Sequence, residues 1–177
     1  MRNKVRIEKD NFFEIGEGTR IKGTFISIVG KNNCLMIKDK VKIRDSHIEI
    51  YGENCRIEIG SNTLVGHDSY LSAKEKNVNL VIGKACALSR NIKLMTSDGH
   101  DILQSGKRIN QAKNIYIMDH VWLADNVTVL KGVTIGEGSI VGINSVITKS
   151  IKNNVLAAGN PAKVVKEQIT HRDELTY

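Results

Sequence analysis

The second half of the chain repeats an apolar residue at every sixth position. The leading residues of these units are Ile117, Leu123, Val129, Ile135, Val141 and Ile147. Four places after each leader stands a small or branched residue: Val121, Val127, Val133, Ser139, Ser145 and Ile151. A unit of this length is too short for a helix pair and contains polar turn residues, so each unit is predicted to be a short strand followed by a corner.

The first half carries the same pattern at a longer period. Ile26, Ile48, Leu71 and Leu94 are 22, 23 and 23 residues apart, which fits three six-residue units plus about four additional residues per coil. Three strands would close one triangular coil, and stacked coils would pair their strands in parallel about 4.8 Å apart. Spacing does not fix the handedness, and general crossover rules favour a right-handed coil.

These patterns predict an all-β fold, a parallel β-helix in a single domain over residues 1–177. The coils are expected from about residue 15 to 158, followed by a C-terminal tail at 159–177. Beyond Pro161 the tail lacks Gly and Pro and contains good helix formers, so it predicts a short C-terminal helix packed on the coils.

The six-residue pattern stops between Leu94 and Ile117. The intervening segment, about 95–114, is polar and contains Gly, so a loop ejected from the coil is predicted. It places His100 between Asp98 and Asp101, and a histidine beside carboxylates can act as a proton acceptor. Residue types alone also allow a solvated histidine without function, and Asp98 could equally serve to stabilise a turn.

The repeat [Ile/Leu/Val]-[Gly/Ala]-x-x-[small]-x resembles that of the hexapeptide-repeat acyltransferases over about residues 15–166. Within that class, sugar O-acetyltransferases resemble the segment Ser97-Asp98-Gly99-His100, followed about two dozen residues later by Trp122. The segment LAAGNPAKVVK at 156–166 resembles the family's terminal Ala-Gly-x-Pro-Ala-Lys/Arg signature. The resemblance implies a left-handed β-helix and a homotrimer with active sites between subunits.

The same resemblance implies roles for individual residues. His100 is expected to be the general base, Asp98 to orient it, and Trp122 to line the acceptor or acetyl pocket or to stabilise the oxyanion. The expected contacts with acetyl-CoA are Ala124, Gly142, Ile143, Thr148, Lys163 and Lys166. The alternatives are that Trp122 seals a subunit interface and that the two lysines are solvated charges.

The composition of the chain limits which partners, location and metals can be expected. The net charge is +7, but the cations are spread along the chain without interleaved aromatic residues, so no nucleic acid partner is expected. The positive charge is equally consistent with an anionic small molecule such as acetyl-CoA. No segment is long and apolar enough to span a membrane and the N-terminus has no signal-peptide pattern, so a cytoplasmic location is expected. The three cysteines lack C-x-x-C spacing and the histidines lack the spacing of related zinc enzymes, so no metal is expected.

The function expected from the sequence is O-acetyl transfer from acetyl-CoA to a hydroxyl group of a sugar or surface-polysaccharide precursor, by direct transfer in a ternary complex. N-acetylation of an amino sugar, free or nucleotide-linked, is an open alternative. A non-catalytic structural β-helix is the other, although it would not need the ejected loop, Trp122 or the AGNPAK segment.

Overall fold

The computed structural model describes residues 2–172, which wind into a three-sided stack of short strands. Alternate residues of each strand point into the stack, where they form columns of apolar side chains. Ile48, for example, pairs with Ile26 and Leu71 in the neighbouring coils, and all three are at most 1% exposed. Each such residue contributes about 1.5–3 kcal/mol through burial, so the columns hold the coils together.

The chain alternates strands and corners along its whole described length. The strands before the loop are β1 Lys4–Ile7, β2 Phe12–Ile15, β3 Arg20–Lys22, β4 Phe25–Lys31, β5 Cys34–Ile37, β6 Lys42–Arg44, β7 His47–Glu53, β8 Arg56–Ile59, β9 Leu64–Val65, β10 Tyr70–Lys76, β11 Asn79–Ile82, β12 Ala87–Leu88 and β13 Lys93–Met95. The loop contains β14 Leu103–Gln104 and β15 Lys107–Arg108. After it come β16 Ile115–Ile117, β17 Trp122–Leu123, β18 Thr128–Val129, β19 Thr134–Ile135, β20 Ile140–Val141, β21 Val146–Ile147, β22 Leu156–Gly159 and β23 Ala162–Lys166.

Three sheets form the sides of the stack. Sheet A has seven strands in the order β1-β4-β7-β10-β13-β18-β21, and sheet B has six in the order β2-β5-β8-β11-β16-β19. Sheet C has eight, in the order β3-β6-β9-β12-β17-β20-β22-β23. Successive strands of each sheet come from successive coils and run parallel, apart from the final pair, so the predicted parallel β-helix is confirmed.

The corners use residues that tolerate a left-handed backbone. Asn91, Asn126 and Asn144 occupy equivalent corners with φ of 53°, 62° and 57°. Their side-chain amides also form a ladder, since Asn91 donates to Asn126 and Asn126 donates to Asn144, each at 2.9 Å. Asn is enriched in this conformation because its short polar side chain can hydrogen-bond locally.

The ejected loop is also confirmed, at the position that the break in the repeat predicts. Strand β13 ends at Met95 in sheet A and β16 begins at Ile115 in sheet B, so the loop leaves at the edge between these two sheets. Its two short strands, β14 and β15, pair antiparallel as a hairpin separate from the three sides.

The first coil starts earlier than the expected residue 15. Strand β1 already belongs to sheet A, with Val5 opposite Ile26 and Ile7 opposite Ile28. Val5 and Ile7 are nevertheless 53% and 39% exposed, because the terminal coil has a neighbour on one side only. Because the first coil is only partly buried, its sequence needs fewer apolar residues and follows the six-residue repeat less closely. The repeat therefore does not reveal this coil.

The predicted C-terminal helix is wrong for the part of the tail that the structure describes. Residues 162–166 form β23, which runs antiparallel to β22, and no helix occurs within 2–172. The last strand of a sheet leaves a row of unpaired N–H and C=O groups, and a returning strand satisfies them better than a helix could. Val164 and Val165 also favour a strand; residues 173–177 lie outside the described residues.

Candidate active site

Glu75 in β10 ties together the two ends of the loop. Its carboxylate accepts hydrogen bonds from Ser97 Oγ at 2.6 Å and Arg108 Nη2 at 2.7 Å, and from the backbone N–H of Ala112 at 3.4 Å. Burial alone would raise the pKa of Glu75, but the hydrogen bonds from these three donors outweigh it and the pKa is lowered. The carboxylate is therefore ionised, and it fixes both the departure and the return of the chain.

Asn110 fixes the backbone around His100. It is only 8% exposed. Its Oδ1 accepts the backbone N–H of Ile102 at 2.8 Å, while its Nδ2 donates to the carbonyl oxygen of His100 and to Asp98 Oδ2, each at 2.8 Å. One buried amide thus makes three hydrogen bonds to the segment 98–102, which holds this stretch in a defined conformation.

Lys131, from the next coil, supports the same segment from below. Its Nζ donates to Asp98 Oδ2 at 2.5 Å and to the carbonyl oxygen of Asn110 at 2.6 Å. The hydrogen bond from Lys131 is the main cause of a lowered pKa of Asp98. Asp98 therefore braces the backbone beside His100 through Asn110 and Lys131, and within residues 2–172 it makes no hydrogen bond to the imidazole.

His100 itself lies at the exposed tip of this braced segment. Its carbonyl oxygen is held by Asn110, whereas its imidazole makes no hydrogen bond to any part of the chain that the structure describes. Both ring nitrogens are open to a substrate. A neutral imidazole presented in this way can accept a proton from a bound hydroxyl group.

Trp122 lies on a different side of the stack from His100. It belongs to β17 in sheet C, is 40% exposed, and its indole N–H donates to Ser89 Oγ at 3.2 Å. The loop that carries His100 leaves between sheets A and B. A single chain therefore does not bring these two predicted site residues together.

Three of the residues expected to contact acetyl-CoA lie together. Ala124 and Gly142 follow β17 and β20, at the edge where sheet C turns toward sheet A, and Ile143 beside them is 60% exposed. The backbone N–H groups of Ala124 and Gly142 are used by the strand ladder, at 2.9 and 2.8 Å from their acceptors. A Cβ on Gly142 would lie 3.0 Å from Ala158 Cβ, so a larger residue there would crowd the next coil.

The remaining three expected contacts are more dispersed. Lys163 pairs with Ala158 and so lies next to the Gly142 edge, whereas Lys166 pairs with Leu156 toward the other end of the strand. Thr148 follows β21 in sheet A and lies on the edge that carries the loop. The predicted set is therefore divided between two edges of the stack.

Glu75, Asn110 and Lys131 were missed by reasoning from the sequence. None belongs to a motif, and each is polar in a segment where polar residues are ordinary. They share no sequence signal, since Glu75 and Lys131 lie within the coils and only Asn110 lies in the segment where the six-residue pattern stops. Their role depends on how the loop folds back, which the repeat does not encode.

Two other kinds of reactive centre, a cysteine nucleophile at Cys86 and a metal site, find no support within the described residues. Cys86 is 2% exposed, and burial raises the pKa of its thiol to about 11, so it is not a nucleophile. Over residues 2–172, no three His, Cys, Asp or Glu side chains lie close enough to hold a metal ion. The described chain also contains no helix that could cross a bilayer.

Sequence comparison identifies relatives with a known reaction. Residues 114–149 match the family described as bacterial transferase hexapeptide (six repeats). A polysialic acid O-acetyltransferase of Escherichia coli O1:K1 / APEC is 41% identical over 116 residues, 62% of this chain and 38% of the relative. The polysialic acid O-acetyltransferase of Neisseria meningitidis is 33% identical over 134 residues, 63% of this chain and 61% of the relative. The match thus spans less than two thirds of the length of either relative.

Comparison of structures extends the likeness to nearly the whole chain. The crystal structure of the polySia-specific acetyltransferase NeuO superposes with a TM-score of 0.79 at 31% identity, covering 99% of this chain and 92% of that one. The resemblance stated from the repeat and the Ser-Asp-Gly-His segment is thereby confirmed. With its six-residue repeats, its ejected loop and this extent of similarity, the chain belongs to the left-handed β-helix family of hexapeptide-repeat acetyltransferases.

Proposed function

We propose that this protein transfers an acetyl group from acetyl-CoA to a hydroxyl group of an acidic surface polysaccharide of the polysialic acid type. The observation that carries the proposal is the exposed His100 imidazole, free of hydrogen bonds to the described chain, on a segment held by Asn110. A base of this kind is what acetyl transfer requires. The acceptor class is supported by the names of the relatives, both polysialic acid O-acetyltransferases.

The reaction proceeds by direct attack. His100 removes the proton of the acceptor hydroxyl as its oxygen forms a bond to the thioester carbonyl carbon. The carbon–sulfur bond then breaks, and the protonated imidazole returns the proton to the leaving CoA thiolate. The products are the O-acetylated sugar and CoA, with no acyl-enzyme intermediate.

The loop network positions His100 rather than taking part in the chemistry. Asn110 and Lys131 hold the backbone on either side of the histidine, and Asp98 connects them. Asp98 thus acts on His100 through the loop backbone. Such positioning matters because a displacement of about 1 Å can cost 10²-fold in rate.

A homotrimer completes the site. His100 lies at the edge between sheets A and B, whereas Trp122 and the Ala124–Gly142 edge belong to sheet C. Packing the loop edge of one copy against the sheet C side of the next would form a groove lined by both. In that groove Ile143, Thr148, Lys163 and Lys166 contact acetyl-CoA, and the indole N–H now held by Ser89 Oγ, or a backbone N–H, stabilises the oxyanion.

The lysines of β23 contact the phosphate groups of CoA. Lys163 and Lys166 are exposed on the strand that closes sheet C, where they add two positive charges near the predicted pantetheine path. We place the reaction in the cytoplasm because acetyl-CoA is available there. The C-terminal tail thus serves the donor, and the ejected loop serves the acceptor.

The proposal is tested by incubating the purified protein with acetyl-CoA and a panel of acceptors: polysialic acid, neutral glycans and free amino sugars. We expect free thiol to appear with polysialic acid, together with mass increases of one acetyl group that mild alkali removes, as for an O-ester. Transfer to an amino sugar, giving an alkali-stable product, would instead establish N-acetylation. Absence of thiol release with every acceptor would refute an acetyltransferase function.

The shared site has its own test. His100→Ala and Trp122→Ala variants are each expected to be inactive as homotrimers, but mixed trimers assembled from both would contain some sites with an intact histidine and an intact tryptophan. Activity recovered on co-expression supports a site built from two copies. Lack of recovery, with trimers shown by sedimentation, would confine the site to one chain.

A further inference from the structure

A second surface on sheet C is shaped for an anion. An open cleft of about 570 Å³ lies near the N-terminal end of the stack and is lined by four cations: Arg20, Lys40, Lys42 and Arg44. The uncharged residues of its lining include Asn62 and Thr63, and no carboxylate is among them. The cleft is far from the loop that carries His100, which leaves between sheets A and B several coils later.

The cations are arranged by the strand register. Arg20 pairs with Lys42, and Lys22 pairs with Arg44, between β3 and β6. Because the residues between them, Ile21 and Ile43, point into the core, all four charged side chains point outward. They form a two-by-two array, with neighbouring coils about 4.8 Å apart and residues of one strand roughly 6.6 Å apart. Three of them line the cleft, Lys22 lies beside it, and Lys40 from the preceding corner is the fourth cation of the lining.

These charges are unpaired within the described chain. Arg20, Lys22, Lys40, Lys42 and Arg44 make no ion pair with any of residues 2–172 and are exposed. Some other surface cations of the described chain do have carboxylate partners, as in Arg56 with Glu58 and Arg90 with Asp125. An array of like charges without partners repels itself, and an anionic ligand would relieve that repulsion.

The array is aligned with Trp122. Lys42 pairs with Leu64, Leu64 with Ala87, and Ala87 with Trp122, so these outward residues form one column along the axis. Three coils separate Lys42 from Trp122, a distance of roughly 14 Å. Leu64 and Trp122 are 39% and 40% exposed, so the column offers apolar contacts to sugar rings between the charges and the indole.

We propose that this cleft binds the acidic polysaccharide at a subsite remote from the reaction, through carboxylates of sugar units along the chain from the one being acetylated. The inference rests on the proposed function and adds how a polymeric acceptor is held. A nucleic acid fits less well, because the cleft lining has no aromatic side chain on which bases could stack.

The test compares two double variants of the full chain that remove equal charge. Lys42→Gln/Arg44→Gln alters the cleft, and Lys4→Gln/Lys9→Gln removes two exposed lysines at the same end of the stack outside sheet C. Fluorescence anisotropy measures binding of labelled polysialic acid, and steady-state kinetics measures acetyl transfer. We expect the cleft variant to bind the polymer roughly 3- to 20-fold more weakly and to show a KM for the polymer that is higher by a similar factor. Its kcat and its KM for acetyl-CoA should be unchanged. The control should match the wild type.

The binding measurement separates this inference from the proposed function. If the wild type transfers no acetyl group to polysialic acid, the proposed function fails, yet weaker binding by the cleft variant alone would still support the subsite. If the wild type is active and both double variants bind and react alike, the subsite is refuted while the function stands. Binding of single-stranded DNA as tight as that of the glycan, and lost in the same variant, would identify a nucleic-acid site and overturn the inference.

Discussion

The side-chain amide nitrogen of Asn110 lies 2.8 Å from the carbonyl oxygen of His100, ten residues earlier in the chain. This hydrogen bond joins the outgoing and returning arms of the ejected loop. Because Asn110 is also bonded to Asp98 and to the N–H of Ile102, the conformation of the segment that presents the imidazole depends on one buried side chain.

Replacing Asn110 by Ala should lower kcat by roughly 10- to 100-fold, since the imidazole loses its fixed position. The KM for acetyl-CoA should stay within about twofold, because the donor groove does not include Asn110. Gln111→Ala removes a neighbouring exposed amide that, within residues 2–172, donates to the carbonyl oxygen of Arg108 alone; it is the control and should keep full activity. An equal loss of kcat in both variants, or in neither, would contradict a positioning role.

Replacing His100 by Ala should reduce turnover by roughly 10²- to 10⁴-fold, as expected for loss of a general base. Binding of acetyl-CoA, measured by calorimetry, should be nearly unchanged. His67→Ala removes another exposed histidine, one that pairs with Asp45 at 2.9 Å, and serves as the control. Turnover within a few-fold of the wild type in the His100 variant would place the base elsewhere.

The loop should loosen in acid before the coils unfold. The pKa of Asp98 is lowered by its hydrogen bond from Lys131, and the pKa of Glu75 is lowered because the hydrogen bonds it accepts outweigh the effect of burial. Groups with a lowered folded-state pKa stabilise the fold fully above their ordinary values, here 3.8 and 4.5, and lose that contribution as the pH falls through the lower folded-state value. The protection factors of residues 97–112, which are exchange rates corrected for the intrinsic effect of pH, should therefore fall below about pH 4 when labelling runs from about pH 6 to 3.

A Glu75→Gln variant provides the comparison for the acid effect. It lacks one of the two titrating carboxylates, so its loop should exchange faster already near neutral pH and should change less on acidification. Protection of the wild-type loop that is constant down to pH 3, while the core strands also stay protected, would show that these carboxylates do not control it.

The two lysines of β23 should matter for the donor. Lys163→Gln/Lys166→Gln is expected to raise the KM for acetyl-CoA by roughly 3- to 20-fold through loss of contacts with phosphate. The KM for acetyl-dephospho-CoA, which lacks the 3′-phosphate, should change little. Lys4→Gln/Lys9→Gln removes the same charge from the opposite end of the stack as a control. An unchanged preference between the two donors would remove both lysines from the site.

The coils could be predicted from the sequence because burial repeats with the chain. Leu123, Val129 and Ile135 each lead a six-residue unit, and each is fully buried in a column of like residues. A single local rule thus determines the register over many coils. The break in the rule located the ejected loop and with it the candidate base.

The hydrogen-bond network that holds the loop around His100 could not be predicted in this way. Glu75 reaches Ser97 and Arg108, which are 22 and 33 residues away, through a turn of the loop that no period describes. The prediction of a C-terminal helix was wrong for a related reason. Its local helix propensity was overridden by the unpaired edge of β22, a partner that exists only once the sheet has formed.

The strands on either side of the loop remain in step with the rest of the stack. Leu80 pairs with Ile57 on one side and with Ile115 on the other, although the loop intervenes only in the second case. The register of the flanking strands is therefore the same with and without an intervening loop. An insertion at this edge can therefore change in length and sequence without shifting the register of the coils around it.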